Sequence, residues 1–502
     1  MINAAKPWVA LLNPTRRKKD SEDLSSLASK ASNSTTTEVR TEIERDYDRI
    51  LFSTPVRRLA DKTQVFPLDK NDSVRTRLTH SHEVSNLARS FGTALCFKYQ
   101  IANDVEDAQR NIPSLLAAIG LVHDLGNPPF GHQGEAAIQS WFKDNEKQVL
   151  DGVKGKLSKQ QKQDFLRFEG NAQGFRLVTR LQLLNDDFGL DLTYATLSAM
   201  MKYPVGSHQV KQGDESTAAS KKHGYFAAEQ EIAERVMQKA GLAVGKRHPL
   251  AYVMEACDDI AYVVLDAEDA VKKGLASFSD LISHLYPHRE DDIVNRVYDQ
   301  SLEKHDEYRQ LASPLSPAEL NDVSMQRFRV FAIGAMISAA TDAFTQNKDV
   351  LTRGESALGL MALSKAEKLR GLLKNFAFKH AYSHKSVLKL ELQGYNVIRD
   401  LMNIFWAAIV DYDNPQNADV LPRDFKRSRP FTKYVYGRIS ENYRRIFENP
   451  TDAVKKLPLR YRECLLLTDM ISGMTDSFAM DLHQELIALK GDFDMTTVLV
   501  KK

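Results

Sequence analysis

The chain has 502 residues, 43% of them hydrophobic, with 68 lysines and arginines against 66 aspartates and glutamates for a net charge of +2. That is ample apolar material for a large core, and the balanced charge excludes a bulk nucleic-acid coat or a membrane-surface protein. Three widely spaced cysteines, Cys96, Cys257 and Cys464, exclude a cysteine-based zinc module and a disulfide framework, and they point to a reducing, cytoplasmic compartment.

The N-terminus lacks the continuous apolar stretch of a signal peptide. Arg16-Arg17-Lys18-Lys19 makes a basic start, and the Ser/Thr-rich residues 20–37 are expected to be flexible, so residues 1–45 read as an N-terminal segment. From Glu38 onward the pattern is helical. The spacing of Val84, Leu87, Phe91 and Leu95 predicts a helix over 82–99. A second, over 112–124, has Pro113 near its start and Gly126 and Pro128-Pro129 behind its end. Residues 145–165 and 205–224, rich in Lys, Gln, Ser and Gly, are expected to be surface loops or insertions. Pro249 to Lys273 is a strong helix, with Pro at its start, Val253, Ala256, Ile260, Val263 and Val264 inside, and Gly274 at its end. Val330 to Ala340 is apolar until Thr341-Asp342, too short to span a bilayer, and reads as a buried core helix. Further helices are expected around 324–345, 364–379, 386–410 and 460–489. Period-two alternation is scarce and no internal repeat is visible. The expected fold is all-α, with a cleft-bearing helical bundle over 46–290 and a helical C-terminal region over 291–502 packed on it.

Chemistry concentrates at four positions. His123-Asp124 closes the apolar stretch Leu115 to Val122, His80 sits in Arg-Leu-Thr-His-Ser, and Asp258 sits in Glu-Ala-Cys-Asp-Asp-Ile-Ala-Tyr. Two imidazoles and two carboxylates can hold one divalent ion and leave positions open for water and substrate, as a catalytic rather than a structural site requires. A helix turns about 100° per residue, so Asp258, Tyr262 and Asp266 form a polar stripe beside the apolar face. Asp259 points about 100° away, which assigns the ion to Asp258. After Asp124 the chain runs Leu-Gly-Asn-Pro-Pro-Phe-Gly-His-Gln-Gly-Glu, and its glycines and prolines are expected to press His132 and Glu135 close to the ion. His132 can move protons near neutral pH, and a carboxylate three residues on can orient its ring. Each feature alone has an ordinary reading: a solvated acidic face, a satisfied core histidine, a loop hydrogen bond. Their combination argues for a site.

Arg-Leu-Thr-His-Ser, His-Asp-Leu-Gly-Asn-Pro-Pro-Phe-Gly-His, Phe-Glu-Gly-Asn-Ala-Gln-Gly (168–174), Asp-Asp-Ile-Ala-Tyr and Glu-Leu-Gln-Gly-Tyr (391–395) occur in the order found in bacterial dGTPases. From about Asp48 to about Asp476 the chain resembles these deoxyguanosinetriphosphate triphosphohydrolases of the HD superfamily. The resemblance implies an HD-domain bundle that hydrolyses dGTP to deoxyguanosine and triphosphate and contributes to control of the dNTP pool. His80, His123, Asp124 and Asp258 would hold the metal, and His132 with Glu135 would manage the proton. Asn171, Lys202, Tyr203 and Tyr262 would contact substrate, the lysine and Tyr203 on the phosphates, and Asp266 would take the sugar 3′-hydroxyl. Gln64 and Val65 would lie against the base, and Arg77, one turn before His80, is placed for a phosphate. Arg429 and Arg438 match, more loosely, arginines that enter a neighbouring subunit's site, and the family assembly is a hexamer. A single-stranded DNA or nucleotide effector stays open.

The physics agrees with these roles. A triphosphate carries about four negative charges near pH 7 and needs cations and hydroxyl donors. His/Asp ligation suits Mg or Mn, and equally Co, Fe or Zn. An Asp or Tyr packed under the ribose can reject a 2′-hydroxyl. No Walker-type glycine loop is present. Three other readings compete. A metal phosphohydrolase for broader dNTPs, cyclic dinucleotides, guanosine tetraphosphate or nucleoside monophosphates would be separated by a substrate panel. A non-catalytic dNTP sensor is disfavoured by the complete ligand set. A single-stranded nucleic-acid-binding protein using Arg423, Lys426, Arg427 and Arg429 would show salt-dependent oligonucleotide binding.

Overall fold

Among the described residues the chain forms 25 α-helices and no β-strand, as the scarcity of period-two alternation predicts. The structure is a computed structural model that describes every residue except 1–6, 26–37, 69–70, 72, 152–155, 183–186, 212, 214–216, 312–314, 413–420, 422–425, 428 and 492–502. The first site-bearing helices are α1, Arg77–Phe97, and α2, Ala108–Val122. A Thr76–Thr79 capping box starts α1 five residues before the apolar periodicity does, so His80 lies on the helix itself. Val84, Ala88, Phe91 and Leu95 form its fully buried stripe, and each large apolar side chain there contributes about 1.5–3 kcal/mol. Two glycines let α1 and α2 approach closely. A Cβ on Gly92 would lie 2.8 Å from Leu116 Cδ1, and one on Gly120 would lie 2.8 Å from Ser85 Cα. This close crossing sets His80 beside His123 at the C-terminal end of α2.

α3, Gly131–Asp144, follows a turn in which Phe130 and Gly131 both take left-handed backbone, at φ 59° and 55°. α4, Pro249–Lys272, is capped by His248 with Pro249 in its first turn, and its middle is buried on nearly every side. It packs on α1, on α2, on α5, Pro317–Gln346, and on α6, Glu367–Ala377. α7, Lys385–Val410, covers α3 and is backed by α8, Leu459–Ser472, and α9, Asp476–Lys490.

Several expectations shift. The helix expected over 460–489 is two, broken at Gly473-Met474-Thr475. The 330–340 stretch belongs to a 30-residue helix, α5, which runs on through Thr341, whose hydroxyl donates to the Ile337 carbonyl. α5 is half buried rather than a wholly interior helix, since Val330 is 53% exposed; it is long and apolar enough to cross a membrane by length and composition alone. The basic start is folded in rather than free. Helix Pro7–Leu11 is anchored by buried Trp8, Leu11 and the following Leu12, Arg16 pairs with Asp46 at 2.7 Å, and Asp20 ties helix Arg17–Ser25 to Lys239 and Tyr194, both at 2.7 Å. The expected flexible stretch over 26–37 lies outside the described residues. Residues 145–165 and 205–224 are exposed in part, as expected, but each also enters the core: Phe165 is fully buried in helix Lys159–Leu166, and His223 is 1% exposed with Nε2 at 2.8 Å from the Arg167 carbonyl.

Candidate metal centre and substrate cleft

His80 comes from the first turn of α1, His123 from the end of α2 and Asp258 from the middle of α4, so the close helix crossings converge three candidate ligands, two imidazoles and a carboxylate. One donor atom from each lies within 4.8 Å of the others. His80 Nε2 is 3.2 Å and His123 Nε2 3.5 Å from the same Asp258 oxygen. His123 Nδ1 lies 2.7 Å from the Gly120 carbonyl, which fixes the proton there and turns the Nε2 lone pair inward. That buried Nε2 has no hydrogen-bond partner. An orphaned imidazole nitrogen facing two carboxylates is what a divalent cation would satisfy, so these residues fit one. Asp124 adjoins this trio, 3.5 Å from His123 Nε2, but its oxygens are taken by Arg77 at 2.7 Å and Asn127 at 2.6 Å. The structure thus brings three of the four expected ligands together and shows the fourth held beside them. Burial opposes charge on His123, yet Asp124 and Asp258 push it up to about 9. Burial likewise opposes the charge on Asp258, but Lys202 and His123 hold it well below the usual carboxylate range.

These groups line a cleft of about 490 Å³, in the range of small-molecule sites. Glu135 accepts the Gly170 N–H at 2.8 Å and holds His132 Nδ1 at 3.1 Å; the His132 side chain itself is 85% exposed. Lys202 Nζ reaches Asp258 at 3.3 Å and Glu255 at 3.7 Å. Beneath it Arg247, fully buried, donates to the Lys202 carbonyl at 2.6 Å, pairs with Glu255 at 2.5 Å and lies over the Tyr203 ring. Gln64 lines the cleft with a buried amide oxygen that has no partner.

No protein-family model matches the chain. Near-full-length relatives do. It is 36% identical over 490 residues to the deoxyguanosinetriphosphate triphosphohydrolase-like protein of Listeria monocytogenes serovar 1/2a, covering 96% of this chain and 99% of that protein. It is 33% identical over 485 residues to the deoxyguanosinetriphosphate triphosphohydrolase of Salmonella enteritidis PT4, covering 89% of this chain and 94% of the relative. The chain belongs to the deoxyguanosinetriphosphate triphosphohydrolase family.

Of the residues that the family resemblance singles out, Gln64, Val65, Arg77, Asn171, Lys202, Tyr203 and Tyr262 line the cleft with the metal-centre residues, His132 and Glu135. Asp266 does not. It is 1% exposed and lies behind Tyr382, whose hydroxyl donates to it while the ring stacks on Tyr262 at 6.0 Å. Burial pushes the Asp266 carboxyl well above the usual range. Asp258, Tyr262 and Asp266 do share one face of α4, but by its third member that face has turned into the core. Asp259, expected to point away, also lines the cleft; burial, with help from Asp258 and Glu255 and against Lys202, pushes it up to about 6. Arg429 and Arg438 do not line this cleft; Arg438 pairs with Glu485 at 3.3 Å. Arg427 is no free cation for a polyanion. It caps the end of α7 by donating to the Ala408 carbonyl at 2.6 Å and the Ile409 carbonyl at 3.0 Å, and it stacks on Tyr436. Arg423 lies outside the described residues.

Sequence reasoning passed over Glu169, Lys222, Lys374, Tyr382 and Glu391, all of which line the cleft. Glu169 and Glu391 sat inside motifs already read, at Phe-Glu-Gly-Asn and Glu-Leu-Gln-Gly-Tyr. Lys222, paired with Glu169 at 2.9 Å, comes from the stretch taken for a surface insertion and carried no local signal.

Proposed function

We propose that this enzyme hydrolyses dGTP at the α-phosphorus, giving deoxyguanosine and intact triphosphate, and so draws on the dNTP pool. One observation carries the reading: a His80–His123–Asp258 cluster with an unpartnered imidazole nitrogen, inside a cleft that Arg77, Lys202 and Lys222 also line. A divalent ion held by that cluster, with Asp124 beside it and Mn or Mg the first choices, would polarise a phosphoryl oxygen. The three basic side chains answer the charge of a triphosphate. Water adds to the α-phosphorus as the bond to O5′ breaks; one water proton leaves and O5′ gains one. His132, with Nδ1 held by Glu135 and Nε2 open, is the group poised to move that proton. The Gln64 amide oxygen, which has no partner, can accept an N–H from the nucleobase. Arg429 and Arg438, which do not line their own cleft, suit the reading in which they serve a neighbouring subunit of a homohexamer.

The test is product analysis. Incubation with dGTP and Mn or Mg, resolved by ion exchange, should release deoxyguanosine and triphosphate in equal amounts. Release of dGDP with orthophosphate, or of dGMP with pyrophosphate, would refute the reaction. Comparable turnover of all four dNTPs would replace it with the broader substrate reading.

A further inference from the structure

The break between α8 and α9 reaches two cleft loops at once. Asp476, 2% exposed in the first turn of α9, accepts the Thr63 N–H at 2.9 Å, the Thr63 hydroxyl, and the Phe130 N–H at 2.9 Å. Those donors lie 413 and 346 residues away in sequence. Next to Asp476 the buried Lys62 donates to the Asn127 carbonyl at 2.5 Å and to the Ser472 carbonyl at 2.8 Å, which ties the same two loops to the end of α8. Thr63 is followed by Gln64 and Val65, and Phe130 is followed by Gly131 and His132; all six residues line the cleft.

The second loop needs an outside hold. Phe130 is a bulky residue in left-handed backbone, a conformation that costs on the order of 1–3 kcal/mol and persists only where surroundings impose it. The Asp476 carboxylate and the packing of the Phe130 ring against Gly394 of α7 supply that imposition. One carboxylate therefore ties down both the backbone that leads into Gln64 and the backbone that leads into His132.

We propose that Asp476 is a positioning residue that locks the base-facing loop and the proton-handling loop into one register, so that nucleobase discrimination and turnover depend on the same side chain. This rests on the proposed dGTP reaction. It places the control of selectivity in the last helix of the bundle, on a residue that does not itself line the cleft.

The experiment compares Asp476→Asn with wild type on dGTP and dATP in Mn. Asn keeps one acceptor but turns an amide N–H toward one of the two loops, leaving a donor facing a donor. The expected result is a drop in kcat for dGTP of about 10- to 100-fold, the scale for a misplacement of about 1 Å, with a fall of at least about fivefold in the dGTP-to-dATP ratio of kcat/KM. A purely structural role would lower the melting temperature and leave that ratio alone. Thr63→Val, which removes only the hydroxyl bond, should shift the ratio in the same direction by less, and it reads the proposal if Asp476→Asn does not fold. Ser477→Ala removes the neighbouring 2.8 Å bond to Asp61 and should change neither quantity. A folded Asp476→Asn enzyme with kcat and selectivity within twofold of wild type overturns the proposal, as does a Ser477→Ala enzyme that loses both. Wild type that releases no triphosphate from dGTP overturns the proposed reaction instead.

Discussion

His248 makes the fold sensitive to acid. It caps α4, the helix that carries Glu255 and Asp258, and it is 1% exposed. Its Nδ1 accepts the Leu250 N–H at 3.1 Å, so Nε2 bears the proton and donates to the Leu11 carbonyl at 3.2 Å. Both ring nitrogens are satisfied in the neutral form, and a second proton would have to enter against the Leu250 N–H. Burial lowers the His248 pKa from 6.5 to about 4, with the Leu11 bond opposing. The sign follows from linkage. Between pH 6.5 and 4 the unfolded chain binds this proton and the folded chain does not, so stability is fully present above 6.5 and is lost as pH falls toward 4. The span between 6.5 and about 4 corresponds to roughly 3 kcal/mol, with a maximal slope of about 1.4 kcal/mol per pH unit from this one residue. Asn at 248 keeps a capping oxygen but cannot titrate. Urea midpoints at a series of pH values from 8 to 4.5 should show His248→Asn less stable than wild type at pH 8, by about 1–2 kcal/mol for the lost Leu11 bond and packing. The gap should then close as the pH falls. Parallel curves for the two proteins down to pH 4.5 would refute the assignment of a neutral, doubly bonded His248.

His132→Ala should retain its metal by elemental analysis while kcat falls roughly 10²–10⁴-fold, the range for loss of a general acid–base group; unchanged turnover would remove His132 from the reaction. His123→Ala should bind less than a tenth of the wild-type metal, since it deletes the unpartnered donor, and full occupancy measured after dialysis would count against the centre. Gly170→Ala would set a Cβ 2.2 Å from Asn127 Oδ1 and 2.9 Å from Glu135 Oε1, so activity should collapse; a wild-type kcat would contradict the close approach. Arg247→Met leaves the buried Glu255 without its main cationic partner and should cost about 3–5 kcal/mol in a urea titration, whereas a loss below 1 kcal/mol would show that Glu255 is solvated.

The helices were legible because their signals are local. Pro249, the apolar spacing to Val264 and Gly274 frame α4 within a residue, and the 386–410 and 364–379 expectations land on α7 and α6. Where boundaries moved, a cap outweighed periodicity: Thr76 starts α1 before any apolar stripe appears, and that shift puts His80 on the helix that aims it. The histidines that converge on Asp258 were legible only through the combination of motifs, Arg-Leu-Thr-His-Ser around His80 and His-Asp-Leu-Gly-Asn-Pro-Pro from His123, since each alone has an ordinary reading.

What stayed hidden was long-range. Helical geometry gives the angle between Asp258 and Asp266 but says nothing of what packs there, and Tyr382, 116 residues from Asp266, seals that end of the stripe. Lys222 reaches the cleft because it and His223 fold back against Glu169 and Arg167. Arg427 reads as a free cation in the sequence, yet the open carbonyls at the end of α7 consume it. In each case a charged side chain's role was set by a partner more than ten residues away. The cleft is built the same way: every element that shapes it, from Thr63 to Asp476, meets its counterpart across the fold. Its precision therefore depends on polar bonds such as those from Arg247 to the Lys202 carbonyl and from the Phe130 N–H to Asp476, which hydrophobic patterning cannot encode.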